Sequence, residues 1–194
     1  MDGNQEFSRL DLFQLPDKFR GRSAVVVQLW WIVQATLFAW SPQFMYGWRN
    51  FWLRLFGAKI GKNVLIRPSV KCCYPWKLTI GDYSWVGDDV VLYTLGNISI
   101  GSHTVISQNS YLCTGSHDYT EPTFDIYAKD IHIGNGAWIA SDVFIAPGVT
   151  LGDGIVVGIR STVMEDLPGA MVCYGSPAKP IKPRKMNVNA HIPS

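Results

Sequence analysis

Residues 133–168 read IGNGAW IASDVF IAPGVT LGDGIV VGIRST VMEDLP, six consecutive hexads that each open with Ile, Leu or Val. The second position of the hexad is often Gly or Ala, and the fifth favours small or branched side chains. With about one aliphatic residue in four as background, six in register arise by chance roughly once in a few thousand windows. The period of six residues is therefore the feature that decides the fold.

A hexapeptide period is typical of a parallel β-helix, in which every hexad forms one short strand and one corner. Three hexads, about 18 residues, close one triangular coil, and the first residue of each hexad points inward onto its counterpart about 4.8 Å along the axis. Gly, Asn and Asp near the corners supply turn conformations that bulkier residues resist. The sequence thus predicts an all-β protein built as a parallel β-helix.

The same pattern occurs earlier in the chain. Hexads begin at Ile60, Ile66, Ile80, Val86, Ile100, Ile106 and Leu112. The predicted repeat runs from about residue 60 to 167, with interruptions at 72–79, near Gly96 and at 118–131, and insertions into a solenoid emerge as loops, often on a binding face. The predicted organisation is an apolar helical leader (1–56), the β-helix with its loop at 118–131 (57–168), and a C-terminal cap and tail (169–194).

Composition excludes several classes of protein. The chain has 194 residues, 47% of them hydrophobic and 16% charged, which indicates one folded domain. Its net charge of +2 gives no overall signature of nucleic-acid binding. The four cysteines contain no CxxC pair, so we expect reduced thiols and no metal. Acidic residues before the first apolar run argue against a secretory signal and favour the cytoplasm.

The apolar leader needs an explanation, because no residue from 23 to 48 is charged. The 18 residues from Ser23 to Trp40 are at the short end of what spans a bilayer of about 30 Å, and Gln28, Gln34 and Thr36 weaken the run further. A helix that plugs the open end of the β-helix fits better. A membrane-interface contact through the tryptophans of 23–56, at the inner face of the membrane, is compatible with that plug.

His117 stands immediately before the longest insertion, in the run CTGSHDY at 113–119. A histidine at the root of a loop can reach a cleft, and because it titrates near neutral pH it can accept a proton from a hydroxyl during acyl transfer. The alternative is a structural histidine that is hydrogen-bonded to the loop.

The other histidines compete poorly for a catalytic role. His132 alternates with inward-pointing neighbours and should face outward, His103 occupies a corner, and His191 lies in the tail. A zinc site made by the histidines at 103, 117 and 132 between subunits lacks the paired spacing that such a site needs.

Several motifs together resemble the hexapeptide-repeat acetyltransferases. They are TGSHDY at 114–119, IGNGAWI at 133–139, PGVTLG at 147–152, GSPAK at 175–179 and the hexads themselves. The resemblance covers roughly residues 57–184. The leader, in YGWR at 46–49 and LFGAKIG at 55–61, is similar to exopolysaccharide O-acetyltransferases of the colanic-acid type.

This resemblance implies a left-handed coil and a homotrimer with active sites between neighbouring β-helices, in which acetyl moves from acetyl-CoA to a sugar hydroxyl. His117 matches the family's catalytic histidine, which deprotonates the acceptor while a backbone N–H stabilises the oxyanion. The positions implied in CoA binding are Trp138, Ser141, Ile159, Arg160, Lys179 and Lys182, the lysines for the phosphates. Those implied in positioning the saccharide acceptor are Asp89, Asp118 and Tyr119.

Two departures from the family pattern leave alternatives open. Met164-Glu165 stands where sugar acetyltransferases often carry Thr-Lys, and Gly87-Asp88-Asp89 stands where they often place an Asn. An N-acetyltransferase acting on an amino sugar, an antibiotic acetyltransferase and a non-catalytic β-helix scaffold therefore remain as alternatives.

Overall fold

In the computed structural model, which describes residues 7–187, the hexads form a three-faced parallel β-solenoid of about six turns. Face A contains the strands Lys59–Ile60, Leu78–Ile80, Ile98–Ile100, Ile131–Ile133 and Thr150–Leu151. Face B contains Leu65–Ile66, Trp85–Val86, Val105–Ile106, Trp138–Ile139, Val156–Val157, Met171–Gly175 and Ala178–Pro183. Face C contains Lys71–Cys72, Val91–Tyr93, Tyr111–Cys113, Phe144–Ile145 and Thr162–Val163. The predicted β-helix is confirmed.

The first residue of each hexad fills the interior of the solenoid. From Ile133 to Val163 all six such residues are at most 4% exposed. Ile139 pairs in register with Ile106 on the coil before it and with Val157 on the coil after it, so identical positions stack along the axis. Full burial of one aliphatic side chain contributes about 1.5–3 kcal/mol, which makes this column the main source of stability.

Glycine recurs at the second hexad position for a steric reason. Five of these glycines, at positions 61, 81, 101, 134 and 152, form a column along the corner between faces A and B, which Gly169, the third residue of its hexad, continues. A Cβ added to Gly101 would lie 2.6 Å from the backbone nitrogen of Asn135 on the next coil. Any side chain there would force adjacent coils apart, so glycine is required for the hydrogen-bonded spacing.

Two boundaries of the repeat differ from the sequence prediction. Cys72 does not interrupt the repeat: it is 2% exposed and pairs with Leu92, because a thiol is small and apolar enough for an inward position. The first interruption is shorter and contains the 3₁₀ helix Pro75–Lys77. Ile131 belongs to face A rather than to the loop, since it is fully buried and pairs with Ile98.

The leader forms helices against the first coil, and the C-terminal strands form a hairpin at the other end. Helix α1, Ala24–Val33, continues into the π-helical turn Gln34–Phe38, and helix α2 covers Tyr46–Leu55; a 3₁₀ turn, Leu10–Leu12, precedes them. Strands Met171–Gly175 and Ala178–Pro183 pair antiparallel. Within residues 7–187 no helix combines the length and the apolar character needed to cross a bilayer.

The backbone groups at the open edge of the first coil have no preceding strand to pair with. Side chains of the leader form hydrogen bonds with them instead. Asn50 Nδ2 donates to the Val64 carbonyl (2.8 Å) and Trp30 Nε1 to the Cys72 carbonyl (2.7 Å). Gln34 Oε1 accepts from the Cys72 N–H at 2.6 Å. Open strand edges need such partners, because their backbone groups otherwise pair with other chains or stay unsatisfied.

Arg49 makes the largest number of hydrogen bonds among these leader side chains. Its side chain is fully buried, and burial lowers its pKa. Nε donates to the Ile66 carbonyl at 2.6 Å, while the Nη atoms donate to Ser41 Oγ (2.7 Å) and to the carbonyls of Pro42 (2.9 Å) and Gln43 (2.5 Å). One guanidinium thus joins the loop before α2 to the edge of face B.

Replacing Arg49 by methionine should lower the free energy of unfolding by about 3 kcal/mol, because the acceptors stay buried without donors. Urea denaturation followed by circular dichroism measures this change. Lys71→Met, an exposed cation on the same first coil, is the matched control and should stay within about 0.5 kcal/mol of the wild type. Equal stability of Arg49→Met and the control would contradict the capping role.

The thiols of Cys72, which is buried, and Cys73, which is partly buried, should react slowly. Burial raises the pKa of Cys73 to about 11 and also raises that of Cys72. A raised pKa favours the neutral thiol, so at pH 8 only about one Cys73 side chain in a thousand is thiolate. Alkylation by iodoacetamide, followed by peptide mass spectrometry, should therefore accelerate about tenfold per pH unit between pH 8 and 10. Labelling of Cys73 as fast as in urea-unfolded protein would contradict this prediction.

Candidate active site

The insertion that contains His117 is a β-hairpin. Strand Gly115–His117 pairs antiparallel with Ile126–Ala128, so the insertion begins at Gly115 and not after His117 as the sequence predicts. The coil ends at Thr114, whose hydroxyl donates to the Tyr93 carbonyl. A Cβ at Gly115 would lie 2.5 Å from Leu95 Cδ1, so a larger residue where the chain leaves face C would have to displace the buried Leu95 side chain.

The His117 ring is half-buried between two phenylalanines. It stacks on Phe124 with ring centroids 4.2 Å apart and planes 9° apart, and Phe13 of the leader approaches at 6.0 Å. Nδ1 lies 2.8 Å from the Phe124 carbonyl oxygen. Because a carbonyl only accepts hydrogen bonds, Nδ1 carries the proton and Nε2 of the neutral ring keeps its lone pair. The ring is thus held in the tautomer that a general base at Nε2 needs.

The backbone of Phe124 is strained. Its φ of 52° lies in the left-handed region, which is uncommon for an aromatic residue. Its N–H donates to the Glu121 carbonyl at 2.9 Å, which closes the turn, while its own carbonyl faces His117. Such strain persists only where the surroundings fix it, and it concentrates at functional sites.

The loop places Asp118 and Tyr119 beside His117. These three residues line an opening of about 460 Å³ together with Thr120, Tyr127 and Lys129. Asp118 Oδ1 accepts from both the N–H (2.9 Å) and the hydroxyl (2.5 Å) of Thr120, which lowers the pKa of the carboxyl group. Tyr119 is 84% exposed and its side chain is free to meet a ligand or another subunit.

The leader also reaches this loop, a contact that the sequence did not reveal. The Arg9 N–H donates to the Pro122 carbonyl at 2.7 Å, and Phe13 packs toward His117. The partners are more than 100 positions apart and share no motif, so no sequence signal could have found them.

The positions matched to CoA binding lie along face B and along the corners that join face B to face C, here called the B–C edge. Trp138 stands on face B, half-exposed, and its Nε1 donates to Ser107 Oγ at 3.1 Å. Ser141 and Arg160 lie at the B–C edge on successive coils, joined by the Arg160 N–H to the Ser141 carbonyl at 3.1 Å. Ile159 is exposed beside them.

Charged side chains flank the B–C edge on the C-terminal coils. Arg160 adopts a φ of 56° and its Nε lies 3.1 Å from Asp142 Oδ2. Lys179 Nζ lies 3.5 Å from Glu165 Oε2, so the acidic departure at 165 faces a cation that the resemblance assigns to CoA. Lys182, on the last strand, borders an opening of about 570 Å³ with Arg184 and Lys185.

Asp89 lies apart from the loop histidine. It is exposed at the B–C edge of an early coil, with φ 55°, and its N–H donates to Ser69 Oγ at 2.9 Å. It borders a cavity with Lys71 and Ala35 of the leader. One subunit therefore brings Asp118 and Tyr119 to His117 but places Asp89 at a different corner.

The two halves of the predicted site are likewise separated within one chain. The hairpin with His117 leaves the solenoid after face C, on the way to face A. Trp138, Ser141 and Arg160 occupy face B and the B–C edge. A single subunit therefore does not place its own loop histidine over its own edge.

A cavity on face B was not predicted. It has a volume of about 340 Å³, and Trp85, Arg67, Asp88 and Gln108 contribute to its walls together with Tyr46. Arg67 Nε lies 2.8 Å from Asp88 Oδ2. Hydrogen bonds with Gln43 and then Arg67 lower the pKa of the Tyr46 phenol. The residues come from four separate segments, which is why the sequence pattern did not reveal it.

The remaining histidines lie elsewhere. His103 stacks on Tyr83 with centroids 5.1 Å apart, and His132 is exposed on face A, as predicted. His191 falls outside the described residues. Among residues 7–187 no group of three His, Cys, Asp or Glu side chains is arranged to hold a metal ion.

Several solved structures share this architecture. A galactoside acetyltransferase in complex with coenzyme A superposes with a TM-score of 0.78 and 24% identity over 89% of this chain and 85% of that chain. A hexapeptide-repeat acetyltransferase of Vibrio cholerae in complex with acetyl coenzyme A gives 0.76 and 24% over 86% and 92%. The fold is that of the left-handed β-helix acetyltransferases.

The chain belongs to the hexapeptide-repeat acetyltransferase family. It is 66% identical over 172 residues, 89% of this chain and 94% of the relative, to WcaF of Escherichia coli strain K12, named for acetyl transfer in colanic acid biosynthesis. It is 31% identical over 128 residues, 64% of this chain and 63% of the relative, to the galactoside O-acetyltransferase of the same strain. A search against family models returned no match.

The hydrogen bond to the Phe124 carbonyl predicts the protonation of His117. NMR of histidine-labelled protein should show the imidazole nitrogen shifts of the Nδ1–H tautomer for the neutral His117 ring. His132, exposed on face A, should show the Nε2–H tautomer common in water and serves as the internal control. An Nε2–H tautomer at His117 would contradict the geometry.

Proposed function

We propose that this protein transfers acetyl from acetyl-CoA to a sugar hydroxyl in polysaccharide or glycoconjugate biosynthesis, with His117 as general base. A structural histidine would also make the Nδ1 contact with the Phe124 carbonyl. The observation that favours the catalytic role is that this ring, with Nε2 left as an acceptor, lines an opening of about 460 Å³. Family membership and the strong similarity to a protein named for colanic acid biosynthesis support the reaction and the saccharide class.

The proposed step is direct transfer. His117 Nε2 accepts the proton of the acceptor hydroxyl while the oxygen attacks the thioester carbonyl of acetyl-CoA. The tetrahedral intermediate then expels CoA as a thiolate, which takes the proton from the imidazolium, so that ester and free thiol are the products. The Phe124 carbonyl stabilises the transient imidazolium, because it accepts the Nδ1 hydrogen throughout.

The cofactor is proposed to lie along face B and the B–C edge. The half-exposed Trp138 ring and the exposed Ile159 offer apolar surface for the pantetheine arm, and Ser141 offers a hydroxyl between them. Arg160, Lys179 and Lys182 would meet the phosphates. Release of Lys179 from Glu165 is a small cost, because the pair is exposed.

We infer a homotrimer with its active sites between subunits. The supporting observation is that one chain holds its loop histidine and its B–C edge at different corners. A neighbouring solenoid packed beside the edge would supply the missing histidine, and cyclic symmetry would then complete three equal sites.

The acceptor is proposed to approach His117 from the loop opening. Tyr119 and Asp118 line that opening, and Asp118 is held as a carboxylate by Thr120. Asp89 and the face B cavity around Trp85 are further candidates for sugar contacts, since exposed indole rings stack on sugar faces and carboxylates accept from hydroxyls. The enzyme is proposed to work in the cytoplasm, with residues 23–56 contacting the inner face of the membrane.

An N-acetyltransferase acting on an amino sugar or an antibiotic would use the same base and the same cofactor edge. The discriminating result is acceptor preference: a panel of hydroxyl and amine acceptors assayed by CoA release separates the two. A non-catalytic scaffold predicts a histidine buried by its loop, whereas His117 lines an opening of about 460 Å³.

Calorimetry and kinetics of His117→Ala test the proposal. The variant should bind acetyl-CoA as the wild type does, while turnover falls roughly 10²–10⁴-fold because the base is lost. His132→Ala, which removes an exposed histidine on face A, is the matched control and should keep full turnover. Failure of the wild type to bind acetyl-CoA would favour a scaffold, and full turnover of His117→Ala would exclude its role as base.

A further inference from the structure

Positive charge is concentrated at the end of the solenoid that the leader covers. Residues 18–81 contain ten Lys or Arg and no Asp or Glu, a net charge of +10. Arg49 of this set is buried, and Asp82, Asp88 and Asp89 of the next coil lie beside Lys62, Arg67 and Lys71. The rest of the chain holds the other seven basic residues and all fifteen acidic ones, a net charge of −8. The overall charge of +2 hides this division, because the two parts nearly cancel.

The same end exposes a large apolar surface. The buried stripe of α1 consists of Val27 and Trp30, but its opposite stripe is also apolar. Trp40 and Phe44, just after the helix, are 86% and 80% exposed. The other exposed apolar residues of the two helices and their link are Val25, Leu29, Trp31, Ile32, Leu37, Phe51 and Leu55. A helix that only capped the solenoid would present polar side chains to water.

Basic side chains lie next to this surface. Lys71 borders the same cavity as Ala35 and Ala39 of the leader, and Arg22 lies near Gly57 at the end of α2. Lys59 and Lys62 are exposed on the first coil. Arg67 is paired with Asp88 and is not counted among the free cations.

This combination identifies the kind of partner. Two such surfaces carry the same strong positive charge and would repel each other, which disfavours contact with a second copy. Apolar side chains with tryptophan, bordered by lysine and arginine, match the boundary between acyl chains and anionic headgroups. The continuous helix 24–38 is about 22 Å long at 1.5 Å per residue, too short for a span of about 30 Å but suited to lie in the interface.

We propose that the leader-covered end of the solenoid binds the surface of an anionic phospholipid bilayer, with the outer face of α1, Trp40 and Phe44 inserted among the headgroups. The inference deepens the proposed location at the membrane and does not depend on the transfer chemistry. Trp40 and Phe44 provide the insertion, and the cations at 22, 59, 62 and 71 provide the attraction to negative charge.

Vesicle flotation tests the proposal with the whole chain. The wild type should float with vesicles of 70% phosphatidylcholine and 30% phosphatidylglycerol, but about tenfold less with phosphatidylcholine alone or in high salt. The double variant Trp40→Ser/Phe44→Ser should lose binding at least about tenfold. Ile181→Ser/Met186→Ser, which removes two exposed apolar side chains at the opposite end, is the control and should bind as the wild type does.

Circular dichroism melting curves show whether each variant is folded, and Lys59→Gln/Lys62→Gln gives an independent test that leaves the helices intact. This charge variant should weaken binding to the anionic vesicles about tenfold without changing binding to neutral ones. No flotation of the wild type, or flotation that the Trp40 and Phe44 changes leave unaltered, would overturn the proposal. So would a larger assembly in solution that these two changes dissolve, because it would show that a second copy covers the face. These substitutions should leave the rate of CoA release with a soluble acceptor unchanged, which separates the test of membrane binding from the test of the transfer reaction.

Discussion

The structure depends on the stacking of one inward aliphatic residue on the next, coil after coil. Each of these side chains is buried only because the coils above and below it are present, so the core is a continuous column whose stability depends on contacts between neighbouring coils. The spacing between coils is fixed by strand hydrogen bonds, and the glycine column at the A–B corner shows how little space remains between backbones. Both ends of such a stack therefore need a cover.

That need explains the leader. The first coil presents backbone groups with no strand before it, and side chains such as Arg49 and Asn50 pair with them directly. The guanidinium is well suited to this role because it offers several donors in one plane and remains charged even when burial lowers its pKa. The inner face of the helices packs against the solenoid, so their outer face stays exposed. Its apolar and basic composition is what the proposed contact with an anionic bilayer requires.

The regular repeat also explains why the candidate catalytic histidine lies outside it. A strict repeat places equivalent side chains in columns along faces and edges, which suits an extended cofactor but cannot bring a base over its own edge. The hairpin after Gly115 departs from the repeat and holds His117 by a backbone carbonyl and two phenylalanine rings. This arrangement underlies our proposal that His117 acts as a base at the edge of a neighbouring solenoid.

Sequence alone was sufficient for the parts of the structure that follow the period. The inward positions and the outward His132 follow from counting in sixes, whereas Trp138, Ser141 and Arg160 were singled out by the family resemblance. The period could not place contacts that depend on chain segments outside it. The pairing of Gly115–His117 with Ile126–Ala128 is a local hairpin inside the insertion that breaks the period, and the approach of Phe13 to His117 joins segments more than 100 positions apart. Cys72 was mistaken for a break because a pattern defined by aliphatic residues does not recognise a buried thiol.

The central claim is that a loop histidine of one subunit acts on acetyl-CoA held at the edge of another, and a mixed oligomer tests it most directly. Chains with His117→Ala and chains with Ser141→Glu/Arg160→Glu are co-expressed under different affinity tags and purified through both. Each variant alone should be inactive, one for lack of the base and the other because carboxylates repel the CoA phosphates. If subunits share sites, every mixed trimer has one site with both halves intact, and CoA release should recover to about a third of the wild-type rate. Mixed oligomers as inactive as the two parents would contradict the account.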